Sequence, residues 1–272
     1  QEYREKQFQV WNCLDHVKKR GFNVLPDFVV PFKGSSLAYH ADYFWECAKW
    51  VPGESLDYQN EKSYLYNAFE ILADFHHALS TIKAEKSLAS YPLAKRRSIL
   101  NDFHEYMLKV KIGEIESDFM KEVVYLMAGL LPVVLPKFGR INDSKSVQWC
   151  WGDSRLANFI FNNQKVEGII DFEAMKVNPL EADFARLMAD FEPWDDSNWQ
   201  KALEAYDDFS SLDVSLAKFY CLSGLLCALV RWAKWLTIPC DSIQLNQQRL
   251  KRGNEILERL NTVSYTHLRA HE

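Results

Sequence analysis

Two runs of β-forming residues, Phe159-Ile160-Phe161 and Val166 to Ile170, flank the polar triplet Asn162-Asn163-Gln164, and this spacing commits the middle of the chain to a hairpin. The hairpin is loaded with polar groups at one end. Asp153 and Asn158 stand just before the first strand and Asp171 ends the second, so strand pairing gathers two carboxylates and a carboxamide. Such a set suits a phosphoryl-transfer site: one Asp takes the proton of an attacking hydroxyl, while Asn and the second Asp hold Mg²⁺ against phosphates. Asp and Asn also favour turns for local reasons, so a polar rim on an ordinary hairpin is the competing reading of the same residues.

The longer segment Trp151-Gly152-Asp153-Ser154-Arg155-Leu156-Ala157-Asn158, followed by Ile169-Ile170-Asp171-Phe172-Glu173, resembles the catalytic loop and metal loop of the aminoglycoside phosphotransferase/choline kinase group. These small-molecule kinases share the protein-kinase fold. Other pieces match in order. Leu72-Ala73-Asp74-Phe75-His76 is similar to the family's leucine-alanine-x-leucine-histidine helix. Phe44-Trp45-Glu46 through Pro52-Gly53-Glu54 resembles the interlobe hinge, and Asp183-Phe184-Ala185-Arg186 the aspartate-leucine-alanine element after the metal loop. Together they cover about residues 1–240.

The resemblance implies an α+β, protein-kinase-like two-lobed fold with an incomplete N-terminal lobe and a mainly helical C-terminal lobe. Residues 1–50 would be a remnant of the nucleotide lobe and hinge, 51–260 the catalytic and substrate lobe, and 261–272 a non-native tail, its last nine residues resembling adapter read-through. It implies ATP or another nucleoside triphosphate and Mg²⁺ as cofactors, and as acceptor a small-molecule alcohol of aminoglycoside, amino alcohol or sugar type. Asp153 would orient and deprotonate that alcohol, and Asn158 and Asp171 would hold the metal. Arg155 either neutralises transferring charge or pairs with a structural carboxylate. The backbones of Glu46 and Ala48 would meet the adenine ring, against the alternative of a plain edge strand. Glu173 lies either near the metal or, if the backbone stays extended, on the opposite side.

Two departures from the family stand out. Trp151 occupies the position, two before the catalytic Asp, where the family has a loop-bracing His. The chain also begins at Gln1 in a helical pattern, with no glycine before Gly21, so the Gly-rich loop and lysine strand implied by the resemblance are not in it. The expectation is an N-terminally truncated, inactive piece of a kinase, with Glu2 and Glu5 as nearest partners for the missing lysine. The alternative is a non-catalytic binding or regulatory protein on a kinase-like scaffold.

Composition narrows the class. The formal charge of −5 argues against a nucleic-acid binder, which would show a basic face. Six cysteines without a C-x-x-C pair or metal spacing read as reduced thiols of a cytoplasmic protein. The longest apolar stretch, 219–230, falls short of membrane-spanning length and reads as a buried helix.

The remaining pattern predicts helices at 2–20, 62–79, 95–111, 114–130, 180–190, 198–209, 213–236 and 241–260, with strands at 24–30 and 37–50 joined by a turn at 33–36. Alternation of Tyr39, Ala41, Tyr43 and Trp45 suggests a half-buried sheet face. His76 is expected to be packed near the catalytic loop, and Arg96, Arg97, Lys109 and Lys111 to be solvated. The acidic stretch 192–196 is either a substrate rim or a solvated connection. No role is assigned to His267 and His271.

Overall fold

The computed structural model describes residues 2–29, 37–41, 43–56, 62–85, 87, 89, 92–141, 147–191, 195–206, 212–238 and 242–266. The expected turn at 33–36, residues 192–194 of the acidic stretch, the Glu2 side chain, His267 and His271 lie outside them. The chain forms two compact units, Gln1–Ala89 with Val147–Ser211, and Ser90–Ser146 with Leu212–Glu272.

The first unit is built around helix α2 (Lys62–Ser80), which packs against α1 (Glu2–Lys19), α5 (Leu180–Met188) and α6 (Asp196–Ala205). Its apolar positions recur at helical spacing, and Leu65, Phe69, Leu72, Phe75 and Leu79 are all buried. Each such side chain contributes roughly 1.5–3 kcal/mol relative to exposure. α1 buries Val10, Cys13, Leu14 and Val17, one face at spacings of three and four. Phe69 meets Phe184 of α5 with ring centroids 4.6 Å apart.

The central hairpin forms as expected, with β5 (Phe159–Asn162) antiparallel to β6 (Lys165–Ile169). Its turn is two residues long, Asn163 and Gln164, both at positive φ (48° and 69°), which matches the right-handed twist of the strands. A bulge between Ile160 and Phe161 shifts the register. Three short strands escaped the sequence reading. β3 (Glu54–Ser55) adds to the edge of β5, and β7 (Lys176–Asn178) pairs with β4 (Gln148–Cys150). Gly53 permits the first pairing, because its φ is 138° and a Cβ there would lie 2.5 Å from the Phe161 carbonyl oxygen.

The segment before the hinge differs from expectation. The strand expected at 37–50 is a hairpin, β1 (Leu37–His40) and β2 (Tyr43–Glu46), reversing at Ala41. Its alternating face is exposed, with Tyr39, Tyr43 and Trp45 at 63%, 68% and 57%. Among the described residues the pair forms its own two-stranded sheet, so no second layer covers that face. The strand expected at 24–30 is reduced to one bridge, Phe28 to Ala48.

The second unit is helical: α3 (Pro92–Lys109), α4 (Asp118–Lys137), α7 (Val214–Leu236) and α8 (Ile243–Thr266). Ser117 and Asp213 cap α4 and α7 by accepting the amides of Met120 and Leu216. α4 continues through Pro132 and Pro136 rather than ending near 130, since burial of Leu130, Leu131 and Val134 offsets the two lost donors. α8 likewise runs past 260 to Thr266.

Taken whole, α4 and α7 are long and apolar enough to cross a membrane by length and composition, unlike the 219–230 run alone. Both bury a face within their own unit, Phe138 meeting Phe219 edge-on at 4.8 Å. Arg96 is not solvated as expected. Its guanidinium donates to the Tyr220 carbonyl and the Ser223 hydroxyl and lies 5.1 Å from the Tyr220 ring centre. Arg97, Lys109 and Lys111 are exposed.

Candidate active site

Strand pairing explains why the three polar residues converge. Phe159 pairs with Ile169, and the amide of Ile170 donates to the Asn158 carbonyl at 2.9 Å. Asn158 therefore stands across from the residue preceding Asp171. A 3-10 turn at Leu156–Asn158 folds the loop back, and the Asn158 carboxamide nitrogen donates to the Asp153 carbonyl at 2.7 Å. The same nitrogen lies 3.5 Å from Asp153 Oδ2. Because the nitrogen faces Asp153, the carboxamide oxygen is the atom left to act as a ligand.

Asp171 sits at a φ of 66°, a left-handed conformation that costs a non-glycine residue about 1–2 kcal/mol. The strain is held by Trp151. Its indole N–H donates to the Asp171 carbonyl at 2.8 Å, while its ring is fully buried against Phe75, Phe159 and Phe172. The carboxylate side of Asp171 is exposed. The Asp171 carboxylate and the Asn158 carboxamide oxygen are both oxygen donors, the ligand chemistry that Mg²⁺ takes.

The loop 151–158 is anchored by Asp183. Its carboxylate accepts the amides of Trp151 at 2.7 Å and Gly152 at 2.9 Å, and its backbone carbonyl accepts the Ser154 hydroxyl at 2.7 Å. Gly152 adopts a φ of 83°, and a Cβ there would lie 2.2 Å from the Ala174 carbonyl oxygen. His76 is packed as expected, with Nε2 3.1 Å from Asp183 Oδ2 and Nδ1 against the Tyr206 hydroxyl. His76, Cys150 and Asp183 bring their donor atoms within 4.8 Å of one another. The direct His76–Asp183 contact and the Cys150 thiol bond to the Asn178 carbonyl use those atoms, making the cluster a brace. Burial pushes the Cys150 thiol well up, which keeps it a protonated donor.

Asp153, 31% exposed, lies between two guanidiniums. Arg186 Nε is 3.4 Å from its Oδ1, and Arg155 Nε is 3.7 Å from its Oδ2. Arg186 also reaches Asp190 Oδ1 at 3.3 Å, and the Asp190 carboxylate accepts the Leu156 amide at 2.8 Å. Burial raises the Asp190 pKa, opposed by the charge of Arg186. Sequence reasoning gave neither Arg186 nor Asp190 a role. Their signal was the spacing 183, 186, 190, which puts all three on one face running off α5.

At the hinge, the Cys47 carbonyl accepts the Val29 amide and the Lys49 amide donates to the Asp27 carbonyl, both at 2.8 Å. Backbone groups alternate along a strand, so those of Glu46 and Ala48 turn to the opposite edge. The Glu46 carboxyl accepts the Trp11 indole N–H at 3.1 Å; desolvation raises its pKa, and that bond lowers it in part. Glu5 is exposed, and the Glu173 side chain is exposed while its carbonyl accepts the Lys6 ammonium at 3.0 Å.

Comparison with known proteins bears on the fold and the family. The chain is similar to an aminoglycoside phosphotransferase from Alicyclobacillus acidocaldarius, with 17% identity and a TM-score of 0.69 over 97% of this chain and 83% of that one. It is similar to an AMP-bound spectinomycin phosphotransferase, with 13% identity and a TM-score of 0.68 over 94% and 83%. An amicoumacin kinase in complex with AMP-PNP, Ca²⁺ and Ami gives 11% and 0.59 over 92% and 76%. No curated protein matches the chain by sequence. These likenesses establish a two-lobed α+β kinase-like fold with a small N-terminal β lobe and a mainly helical C-terminal lobe. The sequence model of the phosphotransferase enzyme family matches residues 4–215, and the chain belongs to that family.

Proposed function

We propose that the chain carries the catalytic segment of an ATP-dependent phosphotransferase that acts on the hydroxyl of a small molecule in the cytoplasm. The observation that carries this reading is the convergence of Asp153, Asn158 and Asp171, with Asp171 held in a strained conformation by Trp151. A scaffold without chemistry has no need for such strain.

Asp153 orients the acceptor hydroxyl for in-line attack and takes its proton at a carboxylate oxygen. Positioning contributes most of the benefit in phosphoryl transfer, so the neighbouring arginines do not defeat that role. Asn158 through its carboxamide oxygen and Asp171 through its carboxylate would hold Mg²⁺. The metal would supply charge neutralisation on the phosphates. Arg155 adds positive charge beside the base. The edge formed by the Glu46 and Ala48 backbones offers a donor and acceptors to an adenine ring. Residues 1–50 belong to the nucleotide side and 51–260 to the acceptor side in this reading.

The test is calorimetric titration of Mg²⁺·ATP into the protein, expressed with any coding sequence that precedes Gln1, and into its Asp171→Ala variant. Metal-dependent binding that disappears in the variant is the expected outcome. A well-folded protein that binds no Mg²⁺·ATP would replace this reading with a non-catalytic scaffold.

A further inference from the structure

The two arginines on Asp153 are not equivalent. Arg186 is shared between Asp153 and Asp190, and Asp190 in turn holds the Leu156 amide, so Arg186 belongs to the framework that fixes the loop. Arg155 makes no other ion pair among the described residues, and its side chain is 45% exposed. Its 3.7 Å approach to Asp153 is too long for a hydrogen bond. Its two terminal nitrogens engage no described residue, leaving a planar fork of donors open beside the carboxylate that would receive the acceptor hydroxyl. Such a fork binds the paired oxygens of a carboxylate or phosphate and repels an ammonium.

We propose that Arg155 is a specificity residue that receives an acidic group of the acceptor, so that the acceptor is an alcohol bearing a carboxylate or phosphate rather than a polycation. This rests on the phosphotransferase reading above. The acidic group is a spectator in the step itself. The acceptor hydroxyl gives its proton to Asp153, its oxygen bonds to the γ-phosphorus of ATP, and the bond from that phosphorus to the β–γ bridging oxygen breaks, its electron pair leaving with ADP. Lysine would supply the charge without the fork, so Arg155→Lys should keep only part of the recognition.

The experiment measures ADP release by the protein, expressed with any preceding coding sequence, with 3-hydroxybutyrate, glycerol 3-phosphate, glycerol, choline and kanamycin. It is repeated with Arg155→Gln and Arg155→Lys. Turnover of an anionic alcohol is expected, with its KM raised tenfold or more in Arg155→Gln, partly restored in Arg155→Lys, and the KM for Mg²⁺·ATP unchanged. Preference for 3-hydroxybutyrate identifies a carboxylate, and preference for glycerol 3-phosphate a phosphate. Three results would overturn the proposal: choline or kanamycin as best acceptor, neither anion accepted by protein that binds Mg²⁺·ATP, or Arg155→Gln lowering kcat with acceptor KM unchanged. Failure to bind Mg²⁺·ATP at all would instead remove the phosphotransferase reading, and this inference with it.

Discussion

The indole nitrogen of Trp151 donates to the carbonyl oxygen of Asp171 at 2.8 Å, joining the loop that carries Asp153 to the loop that carries the second carboxylate. The resemblance placed a bracing His at this position. A buried indole makes a comparable brace with a single fixed donor and fills the surrounding space with ring surface. Trp151→Phe keeps an aromatic ring but removes the donor and part of the indole, at a cost of about 1–3 kcal/mol for the carbonyl left unpaired and a further loss for the cavity opened at a fully buried site. The expected result is Mg²⁺·ATP affinity about tenfold lower together with a lowered Tm. Unchanged affinity would reject the brace.

Asp183 accepts two loop amides and contacts His76 while 1% exposed. Asp183→Ala leaves these donors facing a cavity and should cost about 3–5 kcal/mol, the usual consequence of deleting one member of a buried charged network. Urea unfolding measures it. A midpoint equal to the parent's would show that the loop is held by something else.

Gly152 combines a φ of 83° with a Cβ position 2.2 Å from the Ala174 carbonyl oxygen. Gly152→Ala therefore faces both backbone strain of about 1–3 kcal/mol and a clash with main chain that cannot rotate away. Loss of Mg²⁺·ATP binding together with a lowered urea midpoint is expected. Tolerance of alanine would mean that the turn relaxes freely.

Burial raises three thiols above the ordinary 9.0, Cys13 to about 12, Cys227 to about 11 and Cys150 well up. The folded protein keeps protons that the unfolded chain releases above pH 9, so stability that is complete below pH 9 falls as pH rises toward those folded values. Arg259, pulled down by burial to about 10, acts in the opposite sense above that pH. The decline is therefore sought between pH 9 and 10 in urea midpoints, and Cys13→Ala should make it shallower. A midpoint that climbs across this window would contradict the buried-thiol assignment.

The hairpin and its polar end were legible because period-two alternation and turn residues are local properties of the chain. The same holds for α2, whose apolar spacing needs no tertiary information. The segment 37–50 misled for a related reason: its alternation continues through the reversal at Ala41, and nothing local marks which residue takes the positive φ of 49°. Arg96 was misplaced because a surface-type residue became a partner of the Tyr220 carbonyl, 124 positions away. Arg186 and Asp190 were passed over because their importance lies in what faces them across the loop.

By itself the sequence determined the residue types at the site, the strands that gather them and the family to which they point, since each follows from order and short-range spacing. Tertiary structure alone decided that Trp151 would hold Asp171, that Asp183 would anchor the catalytic loop, and that Asp153 would sit between Arg155 and Arg186. Those contacts join residues far apart along the chain, and their energies depend on burial and direction, which exist only once the chain has folded.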